Sequence, residues 1–299
     1  FAAIFVRRAG PMLFIPVLVA DLVVSLGSFN PIEVARGVPS IHCGGDAGSR
    51  VMQRDSDTFR VAHLEPSNGG TVFSLEAVQG YHTVQTRAYS TIQPFLNVHD
   101  RTRRSMYNLA NIKYERLRSD LSSYNFAEVA PGVWRNQEAL PRAVFVGRCR
   151  GFADTDDMTR SVLSQSIQPS RELMLFESDC RQGVGGGDGA CALRAAAESG
   201  EQYAADCTVG AGGGWAFFSV LQYPGWAAAV DGREAELVPA GIAFYAVPVS
   251  AGQHRVELVY RSRGLFYGLW IAGATGIVAL GLAGWSVRVR RRSAVTQRA

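Results

Sequence analysis

The sequence predicts a membrane protein in which two transmembrane α-helices bracket an extracytoplasmic α/β region followed by a β-sandwich. Three observations carry that fold class. An uncharged apolar run fills residues 264–287, and a second run with one charge fills residues 9–29. Between them, short strand patterns separated by turn signals crowd the stretch from residue 166 onward. Hydrophobic residues make up 47% of the 299-residue chain, and it is their concentration in the two runs that points to a bilayer.

Residues 1–8, FAAIFVRR, read as the end of a preceding apolar helix and a cytoplasmic turn. They hold neither the charged start nor the cleavage site of a signal peptide. The expectation is therefore a C-terminal piece of a longer polytopic protein. In the predicted helix over 9–29, Pro11 suits a helix start and Pro16 kinks the span, leaving a carbonyl for protein neighbours to satisfy. Asp21 is the one ionisable residue inside a predicted span, and an intramembrane carboxylate is a functional candidate because its burial is costly. A hydrogen bond to a neighbouring helix accounts for it more simply.

The run over 264–287 is the stronger of the two. At about 1.5 Å rise per residue it is roughly 36 Å long, more than the ~30 Å hydrocarbon core. Tyr267, Trp270 and Trp285 sit near its ends, where amphipathic rings favour the headgroup layer. Its glycines suit close packing between membrane helices. Arg7 and Arg8 precede the first span, and Arg288, Arg290, Arg291, Arg292 and Arg298 follow the last. Those seven of the 30 basic residues leave 23 basic against 26 acidic groups in residues 9–286. Positive flanks stay inside, so both ends of the segment are expected in the cytoplasm of a bacterial cell and the middle outside. The basic tail, 288–299, is then an anchor near anionic lipid and not a nucleic-acid patch.

The outer part divides into a mixed α/β region over 30–165 and a sandwich over 166–263. Residues 59–62 read as a strand, 65–70 as a turn, and 97–113 as a helix with Met106, Leu109, Ala110 and Ile112 as its apolar stripe. Residues 134–136 and 141–146 are strand-like. The acidic group at 154–157 lacks the glycine turn and distal Glu of a calcium loop, so Asp156 or Asp157 is expected to cap a helix. Strands are expected at 173–177, 192–197, 203–209, 215–222, 226–230, 235–238, 242–249 and 254–260. Asp231-Gly232 marks a hairpin between two of them. The glycines of GVGGGDGA, 183–190, match no phosphate-binding pattern and read as a flexible hairpin loop.

Chemistry is sparse. The five cysteines include Cys180, Cys191 and Cys207 around that glycine-rich loop, and an outside location permits one bridge among the three, in any of three pairings. His42, His63, His82, His99 and His254 show no metal-ligand spacing, and no Gly-x-Ser-x-Gly occurs, so no catalytic residue, metal or cofactor is assigned.

Several blocks stand out in order along the chain: ADLVVSLGSFNP at the end of the first span, FRV at 59–61, Gly80-Tyr81 with RAY at 87–89, LANIKY at 109–114, and NQEALPRAVFV at 136–146. The most specific is VLQYPGWAAAVDGREAELVPAGIAFYAVPVSAGQHRVELVYR, which runs into the final helix. Together these blocks resemble the YfhO-like bacterial membrane proteins of the C-type glycosyltransferase superfamily. The resemblance implies sugar transfer from a polyprenyl-phosphate donor to a cell-envelope glycan or polymer. It also implies a catalytic acid in an earlier outer loop, which this chain lacks. The 183–190 glycines and the extra cysteines depart from the pattern. Tyr223, Trp226 and Tyr245 are expected as core and rim aromatics of the sandwich. Asn68, Tyr81, Arg87 and Tyr89 could line an acceptor groove, since rings stack on sugars and Arg suits phosphates. The competing expectation is a non-enzymatic, membrane-tethered carbohydrate-binding or scaffolding domain.

Overall fold

The computed structural model describes residues 47–64, 75–79, 86–96, 104–168, 171–180, 185–196, 201–261 and 263–296. The chain forms two compact units, one of residues 39–261 and one of residues 1–38 with 262–299.

The larger unit begins with helix α1 (Ala47–Gln53), strands β1 (Arg60–Ala62) and β2 (Glu76–Ala77), and helices α2 (Arg87–Ile92) and α3 (Arg104–Leu109). Strands β3 (Ile112–Arg116), β4 (Phe126–Ala130) and β5 (Val133–Asn136) complete a first sheet in the order β2-β1-β3-β5-β4. Strand β1 runs parallel to β2 and β3, while β5 is antiparallel to β3 and β4. The helix read over 97–113 is cut to α3 within the described residues. Asn111 takes a left-handed turn at φ 59°, and the following Ile112-Lys113-Tyr114 pairs as a strand. Cross-strand pairing has overridden a helical spacing of apolar residues.

Next come β6 (Ala143–Val146), β7 (Cys149–Phe152), helix α4 (Thr155–Leu163) and β8 (Leu173–Phe176), with β7 and β8 forming a parallel pair. The cap of α4 is Asp154, which accepts from the Asp157 amide at 2.8 Å; Asp156 and Asp157 lie in the first turn, where negative charge faces the helix dipole.

The sandwich uses two sheets. One holds β13 (Arg233–Ala235), β12 (Trp226–Val230), β16 (Gly252–Tyr260), β10 (Gln202–Val209) and β9 (Gly189–Ala196), in that order. The other holds β14 (Val238–Ala240), β15 (Phe244–Val249), β11 (Gly214–Phe218) and β6. Ala205, Val256 and Leu258 meet Ala216, Phe218 and Val247 between the two sheets. The opposite face of the β11 sheet presents Trp215, Phe217 and Phe244 to Met106, Leu109 and Ile112 of the first region. Strand β11 is thus buried on both faces along its whole length, which is why GWAFF shows no polar alternation. Burying each of its large side chains contributes roughly 2 kcal/mol.

The smaller unit contains the described helix α5 (Arg263–Thr296), within which Tyr267–Trp285 has a mean hydropathy of 1.5 and is long enough to cross a bilayer. Among the described residues its apolar side chains are exposed, Leu280 at 75%.

The expected architecture needs correction. The described residues form four sheets and one helix of membrane length, not two membrane helices bracketing an α/β region. The expected helix over 9–29 lies outside the described residues, and with it Asp21. The sandwich also draws β6 from well before residue 166, because the apolar run after Pro141 pairs with β11. The segment at 185–189 packs rather than hanging free. Gly187 donates to the Gly213 carbonyl at 3.2 Å, and a Cβ there would stand 2.7 Å from the Ala211 carbonyl oxygen.

Candidate functional site

The ladder between β6 and β11 continues one residue past its strands. The Ser219 amide donates to the Arg142 carbonyl at 2.8 Å. Alternation then turns both side chains away from the sandwich interior, towards the first sheet. There β1 and β2 place Arg60 directly opposite Glu76. Four side chains from separate parts of the sequence converge. Arg142 is fully buried and donates to both carboxylate oxygens of Glu76, and also to the Ser219 carbonyl at 3.2 Å. Arg60 donates through Nε to Glu76 at 2.8 Å, and through its other nitrogens to the Ala110 carbonyl, the Ser219 hydroxyl and the Ser219 carbonyl. The Arg142 guanidinium stands 5.8 Å from the Tyr203 ring centroid.

Burial alone would raise the Glu76 carboxyl, but the charges of Arg60 and Arg142 and their hydrogen bonds outweigh it and hold the group down at about 2. The same burial, with the like charge of Arg142, lowers Arg60. A carboxylate so acidic, with both oxygens engaged, is a poor general base. The cluster holds charge in place.

Arg60 and Glu76 form one side of a cavity of about 510 Å³. The 44% of the Glu76 side chain that remains accessible therefore belongs to a cavity wall. Much of the rest of its lining is aromatic. Tyr203 and Trp226 have ring centroids 5.9 Å apart, Trp226 and Tyr260 5.5 Å, and Tyr260 and Tyr223 5.8 Å. Val78, Tyr89, Ile92 and Phe244 also line it. The Tyr245 hydroxyl donates to the Tyr223 carbonyl and accepts from its amide, both at 3.1 Å, which fixes the backbone carrying that ring. Gly225 is required for the row: at φ 118° it brings the chain against Tyr260, whose ring would lie 2.9 Å from any Cβ. A concave, largely aromatic surface with a few charged groups at its base suits a flat or ring-shaped ligand that also bears hydroxyls.

Of the residues expected from sequence, Tyr89 lines this cavity and donates to the Val78 carbonyl at 3.0 Å. Arg87 is exposed in the first turn of α2 and is not in the wall. Asn68 and Tyr81 lie outside the described residues. Cys191 pairs with Cys207 across β9 and β10, while Cys180 pairs with Cys149, which the sequence reading left unassigned. Sequence reasoning missed Arg60, Glu76, Arg142 and Tyr203, because nothing in their spacing distinguishes them from surface charges and strand aromatics.

Two further polar chains were also not legible. Tyr107 donates to the buried Glu115 at 2.5 Å, and His63 Nδ1 lies 2.8 Å from the other Glu115 oxygen. Burial first, then the adjacent carboxylate, pushes the Tyr107 hydroxyl up. In the sandwich, His254 Nδ1 lies 2.8 Å from Asp231 Oδ2, and His254 Nε2 lies 3.2 Å from the Ser250 hydroxyl. That order matches nucleophile, base and orienter. However, none of the three lines this cavity, and Asp231 also accepts from the Arg255 amide at 2.8 Å. The arrangement ties the two hairpin ends together.

Fold and site thus define a β-sandwich protein with a helix of membrane length. Residues 192–272 match the family model described as bacterial membrane protein YfhO, so over that stretch the chain is similar to a family of membrane proteins, in keeping with a helix of membrane length. The match includes Tyr203, Tyr223, Trp226 and Tyr260 and stops short of Arg60, Glu76 and Arg142 in sequence. No curated protein and no solved structure matches the chain.

Proposed function

We propose that this chain supplies the extracytoplasmic, acceptor-side domain of a membrane glycosyltransferase-like protein, one that takes sugar from a polyprenyl-phosphate donor and modifies a cell-envelope glycan. The observation that carries the reading is the row Tyr203, Trp226, Tyr260 and Tyr223. It falls within the YfhO-like stretch and walls a cavity with Glu76 and Arg60 at its base. Rings of this kind stack on sugar faces, and the charged base orients hydroxyls. Arg87 and Tyr89, with Asn68 and Tyr81, remain proposed contributors to the acceptor surface. The two disulfides fit an oxidising compartment, which supports an outer position for the domain and a cytoplasmic basic tail.

The test is binding of cell-wall glycan fragments to the full chain in lipid nanodiscs. Trp226→Ala and Tyr223→Ala should each weaken it about tenfold, near 1.4 kcal/mol. Unchanged binding in both variants rejects the acceptor role. A second reading, a carbohydrate-binding domain with no transfer activity, rests on the same aromatic row, which would hold a glycan whether or not transfer occurs. Transfer of radiolabelled sugar from a polyprenyl-phosphate donor in membranes separates the two.

A further inference from the structure

The aromatic row is graded in depth. Tyr203, at one end, is 5% exposed, and its ring stands 5.8 Å from the Arg142 guanidinium. Trp226 and Tyr260 follow and are half-buried, and Tyr223, at the other end, is 47% exposed. Beyond Tyr203 the cavity stops. Arg142 grips Glu76 from behind and has no exposed side-chain surface, and Ser219, whose carbonyl accepts from both arginines, is fully buried. The row therefore leads from a closed, charged end to an open rim.

The geometry of the rings narrows the ligand. Neighbouring centroids are 5.5 to 5.9 Å apart, close to the length of one pyranose unit in a glycan chain. Successive planes are tilted by 38°, 57° and 46°. A row that turns in this way cannot lie against a flat face of packed polymer, and it suits a single chain whose sugars each meet one ring.

The closed end supplies a means of recognising a terminus. Glu76 accepts two hydrogen bonds on Oε1, from Arg60 and Arg142, and one on Oε2, from Arg142. A carboxylate has about four lone-pair sites, so among the described residues Oε2 keeps one for a further donor. A terminal sugar brings that donor, because it keeps the hydroxyl that an internal unit uses in its glycosidic bond.

We infer that the aromatic cavity takes a single glycan chain end-on. The last sugar lies at Tyr203 and donates a hydroxyl to Glu76 Oε2, and the units behind it leave over Trp226, Tyr260 and Tyr223. The interior of a polymer is excluded, since its continuation would have to pass through Arg142 and Ser219. The inference rests on the acceptor-side reading and narrows it from a glycan to the end of one.

Calorimetric titration of the full chain in nanodiscs tests it, with linear cell-wall glycan fragments separated by length, from single sugars upward. Affinity should rise with each unit up to four, one for each ring, and then stay level. One protein should bind per glycan chain however long the chain is. Tyr223→Ala should weaken the four-unit fragment about tenfold and leave the disaccharide unchanged. Fragments capped by a methyl group at one end or at the other identify the end that enters, because that cap alone should cost at least tenfold. A stoichiometry that grows with chain length, indifference to both caps, or equal weakening of short and long fragments by Tyr223→Ala overturns the end-on inference and leaves the acceptor role standing. Binding of no fragment at any length overturns both.

Discussion

Arg142 grips both carboxylate oxygens of Glu76, and through that pair the sandwich is fastened to the first sheet. The arginine enters from the end of β6, the glutamate from β2, and Arg60 closes the cluster from β1. A cation with no exposed surface is tolerated only when its partner is fixed. Glu76→Gln should therefore destabilise the larger unit by about 3 kcal/mol, the low end for breaking a buried pair because Glu76 also faces a cavity. Urea unfolding of the variant, followed by tryptophan fluorescence, measures it. A loss below half that value would mean the arginines are neutralised elsewhere.

The same pair sets an acid limit. The Glu76 carboxyl titrates at about 2 in the folded chain against an ordinary 4.5. A depressed pKa gives stability that is complete above the ordinary value and lost as pH falls through the folded one. Melting temperature should thus drop steeply between about pH 4.5 and pH 2, and the drop should be shallower in Glu76→Gln.

His254 gives a dependence of opposite sign. Its hydrogen bond to Asp231 raises its pKa above 6.5, against a smaller opposing effect of burial. The stabilisation is full below 6.5 and is lost as pH rises through the folded value. His254→Gln should flatten the melting profile on the alkaline side of 6.5 while leaving the acid limb set by Glu76. An unchanged alkaline slope would show that the hairpin ends are held by the Asp231–Arg255 bond alone.

Much of the sandwich was legible in the sequence, and the reason is local. Val256 and Leu258 alternate with less buried neighbours along β16, Asp231-Gly232 turns the chain where the pattern breaks, and Trp226 opens a strand after a Pro-Gly pair. The helix α5, with its apolar stretch of membrane length, was legible for the same kind of reason, being uniform over many residues. What was not legible depends on partners distant in sequence. Arg142 and Glu76 are 66 residues apart, and an arginine in a sequence reads as solvent-facing until its partner is known. The spacing of Met106, Leu109 and Ile112 was helical, yet Ile112 was claimed by a strand that pairs with strands beginning at residues 60 and 133. Cys149 was passed over because its partner lies 31 residues away across the β7–β8 pair.

The Cys191–Cys207 bridge staples β9 to β10, which carries Tyr203 of the aromatic cavity. With a sequence separation of 16, closing that loop constrains the unfolded chain by about 3 kcal/mol. Replacing both cysteines with serine should lower stability by roughly that amount. Peptide mapping without reductant should recover Cys191 joined to Cys207 and Cys149 joined to Cys180. A Cys180–Cys191 peptide would contradict the strand register.

Gly225 supplies the sharpest test of the aromatic row. Its positive φ and the closeness of Arg261 and Tyr260 leave no room for a side chain: a Cβ would stand 2.7 Å from the Arg261 carbonyl oxygen. Gly225→Ala must shift the backbone between Tyr223 and Trp226, at a cost above the ~1 kcal/mol typical of an unstrained glycine replacement. Both rings pack at a tilt against Tyr260, so the same shift should open the row and reduce glycan binding as much as Trp226→Ala does. Hydrogen exchange should then rise at Trp226–Val230 and stay unchanged at Gly214–Phe218, whose burial does not depend on that turn. Exchange rising equally in both strands would mean that Gly225 supports the whole sandwich and not the aromatic wall in particular.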